Sequence, residues 1–177
     1  APDTGGPESY ILSSVLYHQK AAEYRALCYQ AFNIAKTNVD NIMRRAGLSR
    51  RQAVIVDIDE TMLDNSPYEA KIILNDTSYP AYWEEWMNAK NAKPVPGALD
   101  FLKYAADQGV AIFYVTNRKQ KYFDQTLENL RQFDFPYADP EHLFMRTETS
   151  SKKQRREKIM NDHFVFLGYR QYDLDHS

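Results

Sequence analysis

Residues 53–65 read AVIVDIDETMLDN, and their order decides the architecture. Residues 53–58 form a short, nearly continuous apolar run rich in β-branched side chains. Such a run suits a strand buried on both faces of a parallel sheet. Alternation along it would put Asp57 and Asp59 on one side, with Ile58 facing away. Two carboxylates at a strand's end repel each other unless a cation, a proton or hydrogen bonds compensate. A solvated acidic turn is the plain alternative, yet such a turn needs no ordered D-x-D after a buried strand.

Working outward, residues 110–116 (VAIFYVT) and 164–167 (FVFL) have the same strand character. Helical periodicity falls at about 97–107, 120–132 and 151–160. Strands alternating with helices predict an α/β fold, a parallel sheet with helices on both faces. Residues 9–46 are helical in pattern, as one bent helix or two. Leu12, Val15 and Leu16, then Leu27, Ala31 and Ile34, then Val39, Ile42 and Met43 mark the apolar stripe. Arg44, Arg45 and Gly47 give a cationic last turn and a stop. Residues 65–94 interrupt the rhythm with Tyr68, Tyr79, Tyr82, Trp83, Trp86 and three prolines. Inserted after the first strand, they lie where ligands of open α/β sheets bind, and they read as a cap. Trp83 and Trp86, three apart, would share one helix face and pack inward. The expected organisation is a single domain over 1–177, a cap insertion at 65–94 and a flexible tail at 1–8.

The 177 residues suffice for one core, and the net charge of −2 offers no broad basic surface for a nucleic-acid polymer. One cysteine, Cys28, excludes an internal disulfide and reads as a buried apolar thiol. No apolar run approaches a membrane span. The polar, Pro/Gly-rich start reads as a tail or as what remains of a processed leader. None of the four histidines has metal-ligand spacing, and none is read as a nucleophile.

A carboxylate such as Asp57 can attack phosphorus and split hydrolysis into two easier displacements. Its charge would repel a phosphate dianion, so a divalent cation is required between them, and hard oxygen ligands select Mg²⁺. Asp59 could protonate the leaving oxygen and then deprotonate water. In FYVTNRK, residues 113–119, the Thr116 hydroxyl and the Asn117 backbone N–H could bind a phosphoryl oxygen near a helix start. Thr and Asn at a strand end are equally common cap residues. In TSSKKQRREKI, residues 149–159, Ser151 and Gln154 read as a capping box that puts Lys152 at the first helical position. A cation there opposes the helix dipole, which holding a phosphate would explain and a solvated basic face would tolerate. Tyr68 is the leading candidate for a ring stacked on a leaving group.

These pieces resemble the haloacid dehalogenase superfamily. More closely, KAAEYRALCYQAFNIAK (20–36), DIDETMLDNSPY (57–68), VPGALDFL (95–102) and IFYVTNR (112–118) resemble bacterial class C nonspecific acid phosphatases, the lipoprotein e group. The resemblance implies a Rossmann-like core with a small helical cap, Mg²⁺, and hydrolysis of phosphomonoesters, including nucleoside monophosphates. It makes Asp57 nucleophile and metal ligand. It makes Asp59 the acid/base and a metal ligand through its backbone carbonyl. Thr116 and Lys152 would grip the phosphate, with Asn117 beside them. It further implies an exported protein, periplasmic or held at the envelope by an N-terminal lipid anchor, and allows a homodimer. The family's fourth motif, G-D-N-x-x-D, should follow FVFLG (164–168), but Tyr169 and Arg170 stand there instead. Three readings stay open: a stretch is missing between Gly168 and Tyr169, Asp173 or Asp175 substitutes, or metal and activity have been lost. The first is favoured, because the last residues resemble a later segment of the family. A phosphatase and a silent binding or storage relative are therefore both kept. Retention of Asp57 favours the phosphatase.

Overall fold

A computed structural model describes residues 22–46 and 51–169. Helix α1 (Ala22–Ala46) is one continuous helix, with Glu23 in its first turn and Arg44 and Arg45 in its last, as its dipole favours. Its buried stripe meets the expected one at Val39 and Met43 and departs from it at Leu27 and Ile34. Phe32, Ala35 and Val39 are buried, with Cys28 and Met43 packed beside them, whereas Leu27 and Ile34 are 57% and 55% exposed. Over residues 27–35 the expected and the buried ladders share a period and are offset by one residue, about 100° of helix, so periodicity alone could not choose between them. Cys28 is half-buried, not buried. Burial raises its thiol pKa, opposed by a hydrogen bond with Tyr24. Leu12, Val15, Leu16, Gly47 and the tail at 1–8 lie outside the described residues.

The sheet has four parallel strands: β1 (Gln52–Val56), β4 (Ala111–Lys119), β5 (Leu143–Arg146) and β6 (Phe164–Tyr169). Their order is β5-β4-β1-β6, which puts the first strand in the interior. Helices cover both faces. Val54 and Val56 of β1 and Ile112 and Tyr114 of β4 join the larger core with α1, α4 (Ala98–Asp107) and α5 (Phe123–Gln132). The alternate residues Ala53, Ile55, Phe113 and Val115 pack on the other face against Ile159 of α6 (Lys153–Asp162). Burial on both faces is why these strands read as unbroken apolar runs. Strand β5 has no counterpart among the expected strands. It is four residues long and half-exposed at alternate positions, too short to carry a pattern.

Residues 65–94 fold as α2 (Ser66–Leu74) and α3 (Trp83–Ala89), bracketed by a two-stranded ribbon of β2 (Leu63–Asp64) and β3 (Lys93–Pro94). Lys71 pairs with Glu85 between the two helices at 2.7 Å. The buried Asn129 side chain of α5 holds both the N–H and the carbonyl of Ala92, at 3.1 and 2.9 Å. Both indoles are partly buried against the core, as their spacing predicted. Gly97, at φ +81°, lets α1 sit close: a Cβ there would meet the Tyr29 ring at 3.0 Å and the Phe32 ring at 3.2 Å.

Candidate active site

The site lies at the carboxyl ends of β1 and β4. Strand β1 stops at Val56, two residues before the end of the expected strand. The following loop is tight because the Ile58 carbonyl accepts the N–H groups of Thr61, Met62 and Leu63, at 3.3, 2.9 and 2.9 Å. Ile58 is fully buried in the core, while Asp57 and Asp59 keep 22% and 29% of their side chains exposed. The expected division of sides therefore holds, although residues 57–59 lie beyond the end of the strand.

Each carboxylate has its own cation. Asp57 Oδ2 pairs with Lys152 Nζ, and Asp57 Oδ1 accepts the Ile58 N–H at 2.8 Å. Asp59 Oδ1 accepts from Arg118 Nε and its NH2 group at 2.9 and 2.8 Å, and from Asn65 Nδ2 at 2.8 Å. Burial alone would push the Asp59 carboxyl pKa up. The Arg118 charge, with hydrogen bonds from Arg118, Asn65 and Thr116, outweighs burial and holds it below the usual carboxylate range. Arg118 is itself buried, with Thr126 Oγ1 at 3.3 Å and the Trp83 ring at 5.8 Å. Glu60 behaves oppositely. Burial first, then the charges of Asp59 and Glu69, push its pKa up to about 8, although it accepts the Asn65 N–H at 3.1 Å. Asn65 also accepts from Trp86 Nε1 at 2.9 Å, so one buried amide ties the acidic loop to α3.

Lys152 is 5% exposed, so it is no solvated face. Helix α6 starts one residue later than expected, and Lys152 is its capping position. The capping box does not form. Instead, Ser151 Oγ accepts the Lys153 N–H at 3.3 Å. Arg155, one turn on, donates to the Thr116 carbonyl and to Asn117 Oδ1, binding α6 to the end of β4.

Thr116 is buried. Its hydroxyl donates weakly to Asp59 Oδ2 at 3.4 Å and accepts the Arg118 N–H at 3.1 Å. Asn117 is exposed, and no helix starts there, because β4 runs on to Lys119 and a 3₁₀ turn follows at 120–122. Between Val115↔Phe144 and Lys119↔Arg146, β4 takes four residue steps to two on β5. That irregularity takes Thr116, Asn117 and Arg118 out of the ladder, and Thr116 and Arg118 bond Asp59, as residues of bulges beside sites commonly do.

Asp57, Asp59, Thr116 and Lys152 are therefore brought together, with Asn117 at the rim. Sequence reading gave no role to Arg118 or Asn65, although both lie inside the motifs that carry the resemblance. The available signal was spacing, since Arg118 stands two residues after Thr116 in the same strand. Two of the histidines serve packing: His142 bonds Asp139, and His163 lies against Phe113. His18 and His176 are outside the described residues.

For a hard divalent cation, the Asp57 carboxylate and the Asp59 backbone carbonyl are donors of the right kind. Among the described residues no group of three or more His, Cys, Asp or Glu gathers around them. Residues 173 and 175, the acidic positions beyond β6, fall outside the described range, as does the decision among the three fourth-motif readings. No helix among the described residues is long and apolar enough to cross a membrane.

A cavity of about 350 Å³ opens beside Asp59 and Asn117, lined further by Glu60, Tyr68, Tyr79 and Trp83. Tyr68 is 5% exposed and meets Trp83 edge-on at 4.9 Å, whereas Tyr79 is 57% exposed. Both rings line the cavity and meet Trp83 edge-on, Tyr79 at 5.8 Å, and Tyr79 is the more exposed of the two.

The parallel sheet with helices on both faces is the fold that the resemblance implied. Residues 6–172 match the family model described as HAD superfamily, subfamily IIIB (Acid phosphatase). The chain belongs to that family. Two solved structures of the class C acid phosphatase from Bacillus anthracis are similar to it at 35% identity. One has tungstate bound, with a TM-score of 0.87 over 92% of this chain and 68% of that one. The other gives 0.85 over 89% and 66%. Acid phosphatase 1 of Solanum lycopersicum is 25% identical over 130 residues, 67% of this chain. The chain spans about half, 49%, of that curated relative's length.

Proposed function

We propose that this protein is an acid phosphatase that hydrolyses phosphomonoesters through an aspartyl-phosphate on Asp57. The observation that carries the reading is the Asp57 carboxylate held beside the buried Lys152 ammonium at the end of an interior strand. An Asp57 oxygen attacks phosphorus as the bond to the leaving oxygen breaks, and that oxygen takes a proton from Asp59 in its protonated form, which the Arg118 charge makes scarce and acid solution favours. Water then attacks the aspartyl-phosphate, giving its proton to Asp59 and returning Asp57 as a carboxylate. Lys152 and the Thr116 hydroxyl hold the phosphoryl oxygens. Arg118 and Asn65 fix where Asp59 points. Mg²⁺ bound by Asp57 and the Asp59 carbonyl would offset the charge between nucleophile and phosphate. Family membership supports this reading, as does the tungstate, a phosphate-like oxyanion, on the Bacillus anthracis relative. Envelope location, a lipid anchor and a homodimer belong to the proposal on resemblance alone. Retention of Asp57 with its lysine disfavours the silent-relative reading.

Chelation gives the direct test. Exhaustive EDTA treatment is expected to remove turnover of a general phosphomonoester, and added Mg²⁺ to restore it. Undiminished activity in EDTA would sink the metal requirement.

Residues 65–94 form the proposed cap, with nucleoside monophosphates as one substrate class and the base stacked on Tyr79. Base–aromatic stacking is worth about 1–3 kcal/mol. Tyr79→Ala should therefore raise KM for nucleoside monophosphates on the order of tenfold and leave glycerol phosphate nearly unchanged. Tyr68→Ala should impair both substrates, because that ring braces Trp83. Equal losses for both substrates in Tyr79→Ala would show that its ring does not read the leaving group.

A further inference from the structure

Strands β4 and β5 end on two cations that face each other. Lys119 and Arg146 are register partners, and among the described residues neither forms an ion pair. Like charges placed directly opposite on a sheet cost stability. They line a cavity of about 530 Å³ with Gln120, Lys121, Thr147 and Glu148. Three cations thus meet one carboxylate, and Lys121 alone is partly neutralised, by Glu84 at 3.0 Å.

This basic groove adjoins the proposed phosphoryl site. Lys119 also lines the aromatic cavity with Asp59 and Asn117, so the two cavities share a wall. Arg155 links them electrostatically. Burial lowers its proton affinity, the Asp57 charge opposes that, and the Arg146 charge adds to it. Arg146 therefore lies within Coulombic reach of a guanidinium that also feels the nucleophile.

We infer that the groove between Lys119 and Arg146 is a second anion subsite, which selects phosphomonoesters carrying a further phosphate or carboxylate. The inference rests on the phosphatase reading for where the scissile phosphoryl sits. The unbalanced cations are the cost, and the distal anion of the substrate removes it. A guanidinium bonded to an oxyanion is a strong, charge-assisted contact. Glu148, at the same groove, would disfavour substrates whose second anion reaches too far.

The test compares an alkyl monophosphate, the alkanediol bisphosphate of equal length, and the matching phosphorylated hydroxy acid. Wild type, Arg146→Gln and Arg146→Lys are assayed for kcat/KM, and binding of each compound is measured by calorimetry. Wild type should prefer the bisphosphate, the hydroxy-acid phosphate or both. Arg146→Gln should lower that preference ratio about tenfold or more. Arg146→Lys should recover part of it. The two doubly charged compounds tell a phosphate subsite from a carboxylate one. A ratio near unity in wild type, or one that Arg146→Gln leaves alone, overturns the subsite. If wild type turns over nothing yet binds the doubly charged compounds more tightly, in an Arg146-dependent way, the phosphatase reading fails and the subsite stands. If wild type turns over the monophosphate but shows no preference in either assay, the subsite fails and the phosphatase reading stands.

Discussion

Asp57→Asn is expected to abolish the phosphoenzyme and to lower turnover by ~10⁴-fold or more, because removing a covalent nucleophile removes the reaction path itself. An amide cannot form the acyl-phosphate, and it also leaves the buried Lys152 without its anion. Both effects act in one direction, so folding must be checked separately by thermal melt. Acid quenching followed by intact mass should show a phosphate adduct on wild type and none on the variant. An adduct on a folded Asp57→Asn protein would move the nucleophile elsewhere.

The second large effect is on stability. Arg118→Met should destabilise the fold by about 3–5 kcal/mol near neutral pH, the usual cost of stripping a buried ion pair of one partner. The sign of its pH dependence follows from Asp59, whose carboxyl is held below its ordinary range in the folded state. That stabilisation is present above the unfolded pKa and is lost as pH falls through the folded one. In the variant, burial is opposed only by the hydrogen bonds from Asn65 and Thr116, so the Asp59 pKa rises relative to wild type and protonation relieves the penalty. The gap between wild type and variant should therefore be wide at about pH 7 and shrink toward about pH 4, near the model-peptide pKa of Asp. Urea melts at both pH values would check this. A constant gap would mean that Arg118 contributes packing, not charge.

Much of this molecule was legible because its interior strands are buried on both faces. AVIVDI and VAIFYVT announce themselves, and the helices after them follow from period and length. The failures have physical causes. Leu27 and Ile34 keep a perfect helical period on an exposed stripe, and nothing local distinguishes that stripe from its buried neighbour. LFMR is too short for alternation to show. At the site, the aspartates were found because acidic residues after an apolar strand are costly without a purpose. Arg118 was missed because an arginine in sequence looks exposed, and only the fold reveals that it is buried against Asp59. Tyr68 does line the cavity beside Asp59, but its nearness to the acidic loop in sequence said nothing of how deeply its ring is buried.

The interior place of β1 also sets an order of assembly. Its two neighbours, β4 and β6, arrive roughly 60 and 110 residues later in the chain. Parallel pairing over such separations must meet its loop-closure entropy before any contact repays it, and is intrinsically slow. As the chain emerges during synthesis, the acidic loop after β1 exists long before Arg118, and longer still before Lys152. Until α6 docks, Asp57 has no lysine, and until β4 joins, Asp59 has no guanidinium. A nascent chain therefore carries the acidic loop without its partners until both later segments have emerged and docked.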